Sequence, residues 1–382
     1  MTIRWGIIGC GNVCEVKSGP GLQKADGSEL LAVMRRSSEL AEDYARRHGV
    51  PKWYDQADAL IHDDDVNAVY VATPVGHHMD YALAACQAGK PAYVEKPMAR
   101  NHAECRRMVD AFKAAGLWLF VAYYRRGLDR FLKVKQLVET GRIGRVTGVS
   151  YRLSQARHRG VDPQNLPWRL VAEHSGGGIF LDLGSHTLDI LDFILGPLTD
   201  VTGMAVNAAS DYDVEDNVVM LFRTPSGGQG TASWNFASDT GEDLIEIAGT
   251  EGRIALSTFG DEPVRLTTSG GEETFDLPNP PHVQQPLIQT IVDELLGRGK
   301  CPSTGESAAR TARVMDAVLE GYYGGRDDEY WLRPETWPGR PKRRAGKAAA
   351  SPHQGADKPS NATPIMLECP GGRRAPRGGS HI

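Results

Sequence analysis

Trp5-Gly6-Ile7-Ile8-Gly9-Cys10-Gly11-Asn12-Val13-Cys14 is the stretch that decides the fold. A short apolar strand runs into two glycines, and a helix opens directly after them. Glycines permit a tight turn there, and backbone N–H groups at the helix start face a pyrophosphate. A Gly-x-Gly between a strand and a helix is the context in which this fingerprint binds a dinucleotide. Cys14 stands at the third glycine position and is small enough for close helix packing. Cys10 and Cys14 read as packing residues rather than reactive thiols. Gly9, Gly11, Asn12 and Val13 are therefore expected at a cofactor, and Gly19-Pro20-Gly21 is expected to interrupt the first helix early.

Working outward, short apolar runs alternate with helical stretches up to about residue 122. Leu30-Leu31-Ala32-Val33-Met34, Ala68-Val69-Tyr70-Val71-Ala72, Ala92-Tyr93-Val94 and Trp118-Leu119-Phe120-Val121 read as buried strands. Ser38 to His48 and Met79 to Ala88 carry helical periodicity between them. This rhythm predicts an α/β Rossmann domain over residues 1–122, a doubly wound parallel sheet covered on both faces.

After about residue 145 the pattern changes. Val146 to Leu153 alternates like a strand with one polar face. Asn217 to Arg223 and Gly230 to Phe236 flank the turn Thr224-Pro225-Ser226-Gly227-Gly228. Leu244 to Ile247 pairs with Arg253 to Leu256, and Val264 to Thr267 with Glu273 to Leu277, across glycine-rich turns. Successive hairpins predict an α+β domain over 123–330 with a largely antiparallel, open-faced sheet, closed by helices near 286–298 and 304–320. Such a sheet must cover its apolar side, so a homodimer or homotetramer is expected. From Gly339 to 382 the chain is rich in Pro, Gly, Ala and Arg and is expected to be a disordered basic tail.

The chain of 382 residues carries a net charge of -5, which gives no reason to expect a nucleic-acid partner. No apolar run approaches the roughly 20 residues of a membrane span. The six cysteines lack the paired spacings of a zinc site or a disulfide framework. The chain enters a strand at once, leaving no place for a secretory leader, so a cytoplasmic location is expected.

Three further clusters carry chemistry. The second strand ends in Arg35-Arg36-Ser37, where an NAD enzyme usually has Asp or Glu for the ribose hydroxyls. Guanidinium groups bind a 2′-phosphate in two-toothed fashion, which favours NADP(H) over NAD(H). Thr73-Pro74 ends the fourth strand, at the edge where open α/β sheets bind ligands, and His78 follows it at the start of a helix. Glu95-Lys96-Pro97 follows the strand Ala92-Tyr93-Val94 at the same edge, aiming Lys96 at a ribose hydroxyl and at substrate oxygen, with Pro97 a candidate for a cis bond. Thr73, Pro74, His78, Glu95 and Lys96 join the expected cofactor contacts.

The last cluster follows Ser175-Gly176-Gly177-Gly178. Read as one helix from Ile179 to Leu195, it has Asp182, His186 and Asp189 at i, i+4 and i+7, on one face. Histidine transfers protons near neutral pH, and a carboxylate one turn away can set its tautomer. Metal ligation by the same three residues is the alternative, but no further His or Cys completes a site, so no metal is expected.

With these residues in place, the chain resembles the glucose–fructose oxidoreductase/inositol dehydrogenase (Gfo/Idh/MocA) family over about residues 3–325. The resemblance rests on Gly9-x-Gly11, Thr73-Pro74, Glu95-Lys96-Pro97, Tyr124-Arg125-Arg126 and Gly176-Gly177-Gly178…Asp182-x-Gly184-x-His186-x-x-Asp189. It implies hydride transfer between nicotinamide and a sugar, cyclitol or related polyol, with Lys96, Asp182 and His186 as the catalytic set. Arg125 matches a position that touches substrate in cyclitol-oxidising relatives, and Tyr124, Trp168 and Arg169 are expected beside it. The Arg35 position resembles the NADP-using, anhydrofructose reductase-like branch. Two alternatives share the fold: a non-catalytic cofactor-sensing regulator, which should lack the Lys–Asp–His set, and an NAD-dependent glycosidase.

Overall fold

The computed structural model describes residues 2–156, 162 and 164–342. The parallel sheet is built from β1 (Ile3–Ile8), β2 (Ser28–Met34), β3 (Lys52–Tyr54), β4 (Ala68–Val71), β5 (Ala92–Val94) and β6 (Leu119–Val121). Its order is β3-β2-β1-β4-β5-β6, with every pairing parallel. The chain runs outward through β1, β2 and β3, then returns to β4 on the other side of β1. That reversal opens a crevice at the carboxyl ends of β1 and β4, the usual place for a ligand in such sheets. The central strands β4 and β5 are buried along their whole length, as continuous apolar runs require.

Two local details differ from the sequence reading. The edge strand β3 is Lys52-Trp53-Tyr54, three residues with no buried position and hence no apolar run to betray it. The first helix stops at Lys17, after Asn12–Val16, and a second segment occupies Ser18–Lys24. Gly19-Pro20-Gly21 thus lies inside the second segment rather than at the break. There the glycines serve close packing: a Cβ on Gly21 would stand 2.7 Å from Ile288 Cδ1.

The second sheet contains β7 (Val146–Ala156), β8 (Thr199–Val206), β9 (Asn217–Arg223), β10 (Gln229–Ser238), β11 (Glu242–Gly249), β12 (Gly252–Leu256), β13 (Val264–Thr268) and β14 (Gly271–Phe275). The order is β14-β13-β12-β11-β7-β10-β9-β8, antiparallel except where β7 lies parallel to β10. All three expected hairpins form. One face packs on the helices Ser185–Leu195 and Gly305–Tyr323, burying Tyr151, Val218, Met220, Trp234, Ile245 and Ile247. The other face leaves Met204, Val206, Val219 and Leu221 exposed on β8 and β9. The edge strand β8 escaped the sequence reading because only Ala205 in it is fully buried.

The segment Ile179–Leu195 is not one regular helix. Phe180–Gly184 forms a π-turn, and the α-helix begins at Ser185. Gly184 admits the ring of Phe180, which a Cβ there would strike. The extra residue in the wider turn changes the register, so Asp182 does not project with His186 as a uniform helix would have it.

Gly339 and Arg340, at the start of the expected basic tail, are tied to the second domain. The backbone N–H of Gly339 donates to Tyr322 (3.0 Å), and Arg340 pairs with Asp213 (2.7 Å). The rest of that tail, 343–382, lies outside the described residues. No helix among the described residues is long and apolar enough to cross a membrane.

Candidate active site

The site grows from the crevice at the carboxyl ends of β1 and β4. Gly9 turns the chain with φ 88°, a left-handed conformation open to glycine, and its N–H donates to Met34 at the end of β2 (2.9 Å). A Cβ on Gly9 would stand 2.9 Å from Thr73 Cγ2, so the glycine turn and the Thr73-Pro74 turn touch. A Cβ on Gly11 would meet nothing closer than Gly9 O at 3.8 Å. Packing within the protein therefore does not demand glycine at 11, and the bare backbone lies open as a surface on which a dinucleotide phosphate fits. Thr73 Oγ1 is buried with no partner, a polar atom left over at the same edge. Asn12 is exposed at the helix start, while Val13 packs against the core. Burial pushes the Cys10 thiol up to about 11, and it pushes Cys14 higher still, consistent with inert packing roles.

Arg35 and Arg36 are exposed just beyond β2, and the charge of Arg35 reaches Cys10 in the glycine turn. Ser37 is less free. Its hydroxyl accepts from Leu40 N (3.4 Å) and donates to Glu39 (3.0 Å), capping the helix Ser38–His48.

Two residues expected at the cofactor prove to be internal struts. The buried ring of His78 sets its Nε2 against Thr73 O (2.8 Å) and its Nδ1 against Pro97 O (3.1 Å), tying the loops after β4 and β5 together. The Glu95 carboxylate accepts from the Tyr70 hydroxyl (2.6 Å), the Gln284 amide (2.7 Å) and the N–H of Lys96 (3.1 Å). With both His78 nitrogens and both Glu95 oxygens so occupied, their service is to aim the strand ends. The Lys96–Pro97 peptide is cis.

Lys96 leaves this edge and crosses to the second sheet's side. Its ammonium donates to the Asp182 carboxylate and to the Asp182 carbonyl (3.2 Å). The other Asp182 oxygen accepts from Arg169 Nε (2.8 Å), and the Arg169 guanidinium stacks over Trp168 at 4.5 Å. Burial pushes the Asp182 carboxyl up, but the charges of Lys96 and Arg169 outweigh it and hold the group well below the usual carboxylate range. Asp182 is thus a fixed counterion. It does not orient His186, whose Nδ1 is buried without a partner.

The His186 ring is 4% exposed and stands edge-on to Tyr124 (5.5 Å) and Phe259 (5.9 Å). Burial, and after it the charges of Arg125, Lys96 and Lys17, hold its pKa well below the ordinary value. The ring is neutral at physiological pH, the state in which it can accept a proton. Arg125 lies against the same two aromatic rings, 4.9 Å over Tyr124 and 4.6 Å over Phe259. Its Nε donates to Thr258 O (2.9 Å), and its Nη1 is buried and unpartnered. Asp189, expected beside His186, instead accepts two bonds of 2.8 Å from Arg126, which also pairs with Asp192 (3.1 Å). That network braces the helix.

Sequence reasoning missed Phe259 and Lys17. Phe259 lies in the loop after β12, with no periodicity or motif to mark it. Lys17 lies at the helix break, between Asn12–Val16 and Ser18–Lys24, and nothing in the sequence marks its charge as one that reaches His186.

Comparison with known proteins identifies the family. Residues 3–123 match the oxidoreductase family, NAD-binding Rossmann fold (GFO_IDH_MocA), and residues 131–255 match the GFO/IDH/MocA C-terminal domain. The chain is 39% identical over 317 residues to oxidoreductase P35 of Formosa agariphila, covering 82% of this chain and 97% of that one. It is 30% identical over 331 residues to 1,5-anhydro-D-fructose reductase of Ensifer adhaerens, covering 85% and 98%. A solved oxidoreductase from Agrobacterium radiobacter in complex with NAD+, L-tartaric acid and magnesium superposes with a TM-score of 0.74 at 25% identity, covering 84% and 96%. The chain belongs to the Gfo/Idh/MocA family of oxidoreductases and has its NAD-binding Rossmann fold.

Proposed function

We propose that this member of the Gfo/Idh/MocA family is an NADP(H)-dependent reductase or dehydrogenase of a sugar, cyclitol or related keto-sugar. When bound, the nicotinamide supplies or takes the hydride. Gly9, Gly11, Asn12 and Thr73-Pro74 would hold its phosphates and riboses, and Arg35 with Arg36 would receive a 2′-phosphate.

The protein's own residues handle the proton and the charge. His186, neutral and beside the lysine, takes the hydroxyl proton as a carbinol is oxidised and returns it when a carbonyl is reduced. Lys96 polarises the same oxygen, stabilising negative charge as it develops there. Asp182 holds the ammonium of Lys96 in place. Tyr124, Arg125 and Phe259 line the approach to His186, and the unpartnered Nη1 of Arg125 is a donor for a substrate oxygen. Trp168 and Arg169 flank Asp182 on the other side.

The observation that carries this reading is the Lys96–Asp182 ion pair spanning the two sheets next to a neutral His186. The relatives' names, a 1,5-anhydro-D-fructose reductase among them, support the substrate class. Absorbance at 340 nm would follow NADPH and NADH oxidation against 1,5-anhydro-D-fructose, keto-inositols and a panel of aldoses and keto-sugars. Turnover with at least one of these is expected, and faster with NADPH. A protein that binds neither cofactor and turns over none of them sinks the reading.

A further inference from the structure

The guanidinium of Arg326 is buried where the two halves of the site meet. Its Nη2 donates to Arg100 O and its Nη1 to Gly176 O, both at 2.7 Å. Arg100 follows Lys96 in the loop after β5, and Gly176 precedes Asp182 in the approach to the π-turn. Nε donates to Asp316 Oδ1 (2.8 Å), and Asp316 Oδ2 accepts from the N–H of His102 (2.7 Å). The rings of Tyr323 and Tyr330 lie under the guanidinium at 5.0 and 4.7 Å, and the Tyr330 hydroxyl also donates to Gly176 O.

The segment that Arg326 grips has little stiffness of its own. Gly176-Gly177-Gly178 can take many conformations, so the position of Asp182 has to be imposed from outside. Glu215 supplies one restraint, accepting the N–H of Gly178 with both oxygens (2.9 and 3.0 Å). Arg326 and the Tyr330 hydroxyl both hold Gly176 O, and Arg326 also holds the lysine's loop through Arg100 O. A guanidinium presents its donors in a rigid planar fork, so two carbonyls bound to one fork are held at a fixed separation. Low dielectric around the buried group strengthens both bonds.

We propose that Arg326 is a positioning residue for the reaction: by clamping Arg100 O and Gly176 O in one fork, it sets the approach of Lys96 to Asp182. The proposal rests on the proposed function in taking that pair as part of the reacting site. Its action is through Lys96 and Asp182, without touching substrate.

The test uses the full-length protein and variants Arg326→Lys and Arg326→Met, with Trp337→Phe as control. Lysine at 326 keeps a cation for Asp316 but lacks the fork, so it covers the case in which methionine fails to fold. Trp337 donates to Tyr330 O (2.9 Å) and braces the same C-terminal segment while touching neither clamped carbonyl. Competitive acylation with acetic anhydride, read by mass spectrometry, reports how tightly each lysine is paired. Lys96 acylation should rise roughly tenfold in the Arg326 variants, and Lys52, paired with Asp63 (2.8 Å), should not change. In Trp337→Phe the melting temperature should fall with Lys96 unaltered. With NADPH and 1,5-anhydro-D-fructose, kcat of the Arg326 variants should drop by about 10–100-fold at unchanged KM for NADPH, the scale of a misplacement near 1 Å. Combined with Lys96→Ala, the loss should be far less than additive.

Unchanged Lys96 acylation in a folded Arg326 variant overturns the proposal, as does an equal rise in Trp337→Phe. A wild-type protein without turnover would count against the proposed function, and the labelling would still decide the role of Arg326.

Discussion

Lys96 and Asp182 form an ion pair between the carboxyl edge of the parallel sheet and the π-turn of the second domain. The pair carries a consequence for catalysis. Removing the ammonium leaves Asp182 with Arg169 as its remaining cation, while the substrate oxygen loses its polarising charge. Lys96→Ala should therefore lower kcat by about 10²–10⁴ with little effect on cofactor affinity. Stopped-flow single turnovers and fluorescence titration of NADPH separate the two quantities. A variant whose loss lay wholly in cofactor binding would assign Lys96 to the cofactor alone.

On the proposed reading, cofactor preference turns on Arg35 and Arg36, both exposed at the end of β2. An acidic residue there would repel a 2′-phosphate and hold ribose hydroxyls instead. Arg35→Asp should move the preference toward NAD(H) by roughly 1–3 kcal/mol, the scale of a charge-assisted contact. Calorimetric titration of both cofactors into wild type and variant checks this. Equal or tighter binding of NADH by the wild type contradicts it.

The open face of the second sheet offers a third test. Met204 and Leu221 are 64% and 55% exposed, and Met204 lies opposite Val219 in the β8–β9 register. These side chains form an apolar strip that a second copy would cover, giving a homodimer or a higher even assembly. Light scattering should return a multiple of the chain mass at micromolar concentration. Leu221→Lys should shift that mass toward the monomer, and a wild-type monomer throughout the range rules the interface out.

Much of this architecture is legible in the sequence because burial forces a pattern on it. The strand β4 is buried at all four positions, so Ala68-Val69-Tyr70-Val71 could only be an apolar run. The helix Ser38–His48 carries its own stop signals, with Ser37 capping one end and left-handed Gly49 the other. The strands β3 and β8 lacked such a pattern because edge strands with few buried residues need no apolar run. The π-turn at Phe180–Gly184 was illegible for a different reason. The spacing of Asp182, His186 and Asp189 reads the same with or without it, and the one local sign, a glycine at 184 against the Phe180 ring, is not a periodic signal. Glu95 and His78 show the converse limit: the motif gives their place at the sheet edge but not which way a polar side chain turns.

Acid sensitivity should have one component from His186. Its folded pKa lies well below the ordinary value of 6.5 because burial and three nearby cations disfavour the imidazolium. The unfolded chain therefore binds a proton near pH 6.5 that the folded chain refuses, and stability present above that pH is lost as pH falls toward the folded value. The Asp182 carboxyl, held low by Lys96 and Arg169, contributes a separate loss below its ordinary range near pH 3.8. Melting temperatures of wild type should fall between pH 7 and 5, and His186→Gln should flatten that slope. An identical slope in the variant removes His186 from the explanation.

The role of His186 itself is the most exposed assignment. When hydride leaves a carbinol carbon, the hydroxyl proton must pass to a base within hydrogen-bond reach. Asp182 is poorly suited, because its two oxygens accept from Lys96 and Arg169 and its acidity is far too great. Lys96 is committed to Asp182, donating to its carboxylate and its carbonyl. His186 is neutral, buried, and has an unpartnered Nδ1. In reduction the same ring must pick up a proton and deliver it, a step its low pKa makes a strongly driven donation. His186→Ala should thus lower kcat by about 10²–10⁴ while NADPH affinity stays near that of wild type. The acidic limb of the kcat profile for oxidation should also disappear in the variant, since that limb reports protonation of the base. Near-native turnover of His186→Ala on an identified substrate would return the proton to Tyr124, whose ring stands 5.5 Å from the imidazole, or to Lys96 released from its pair.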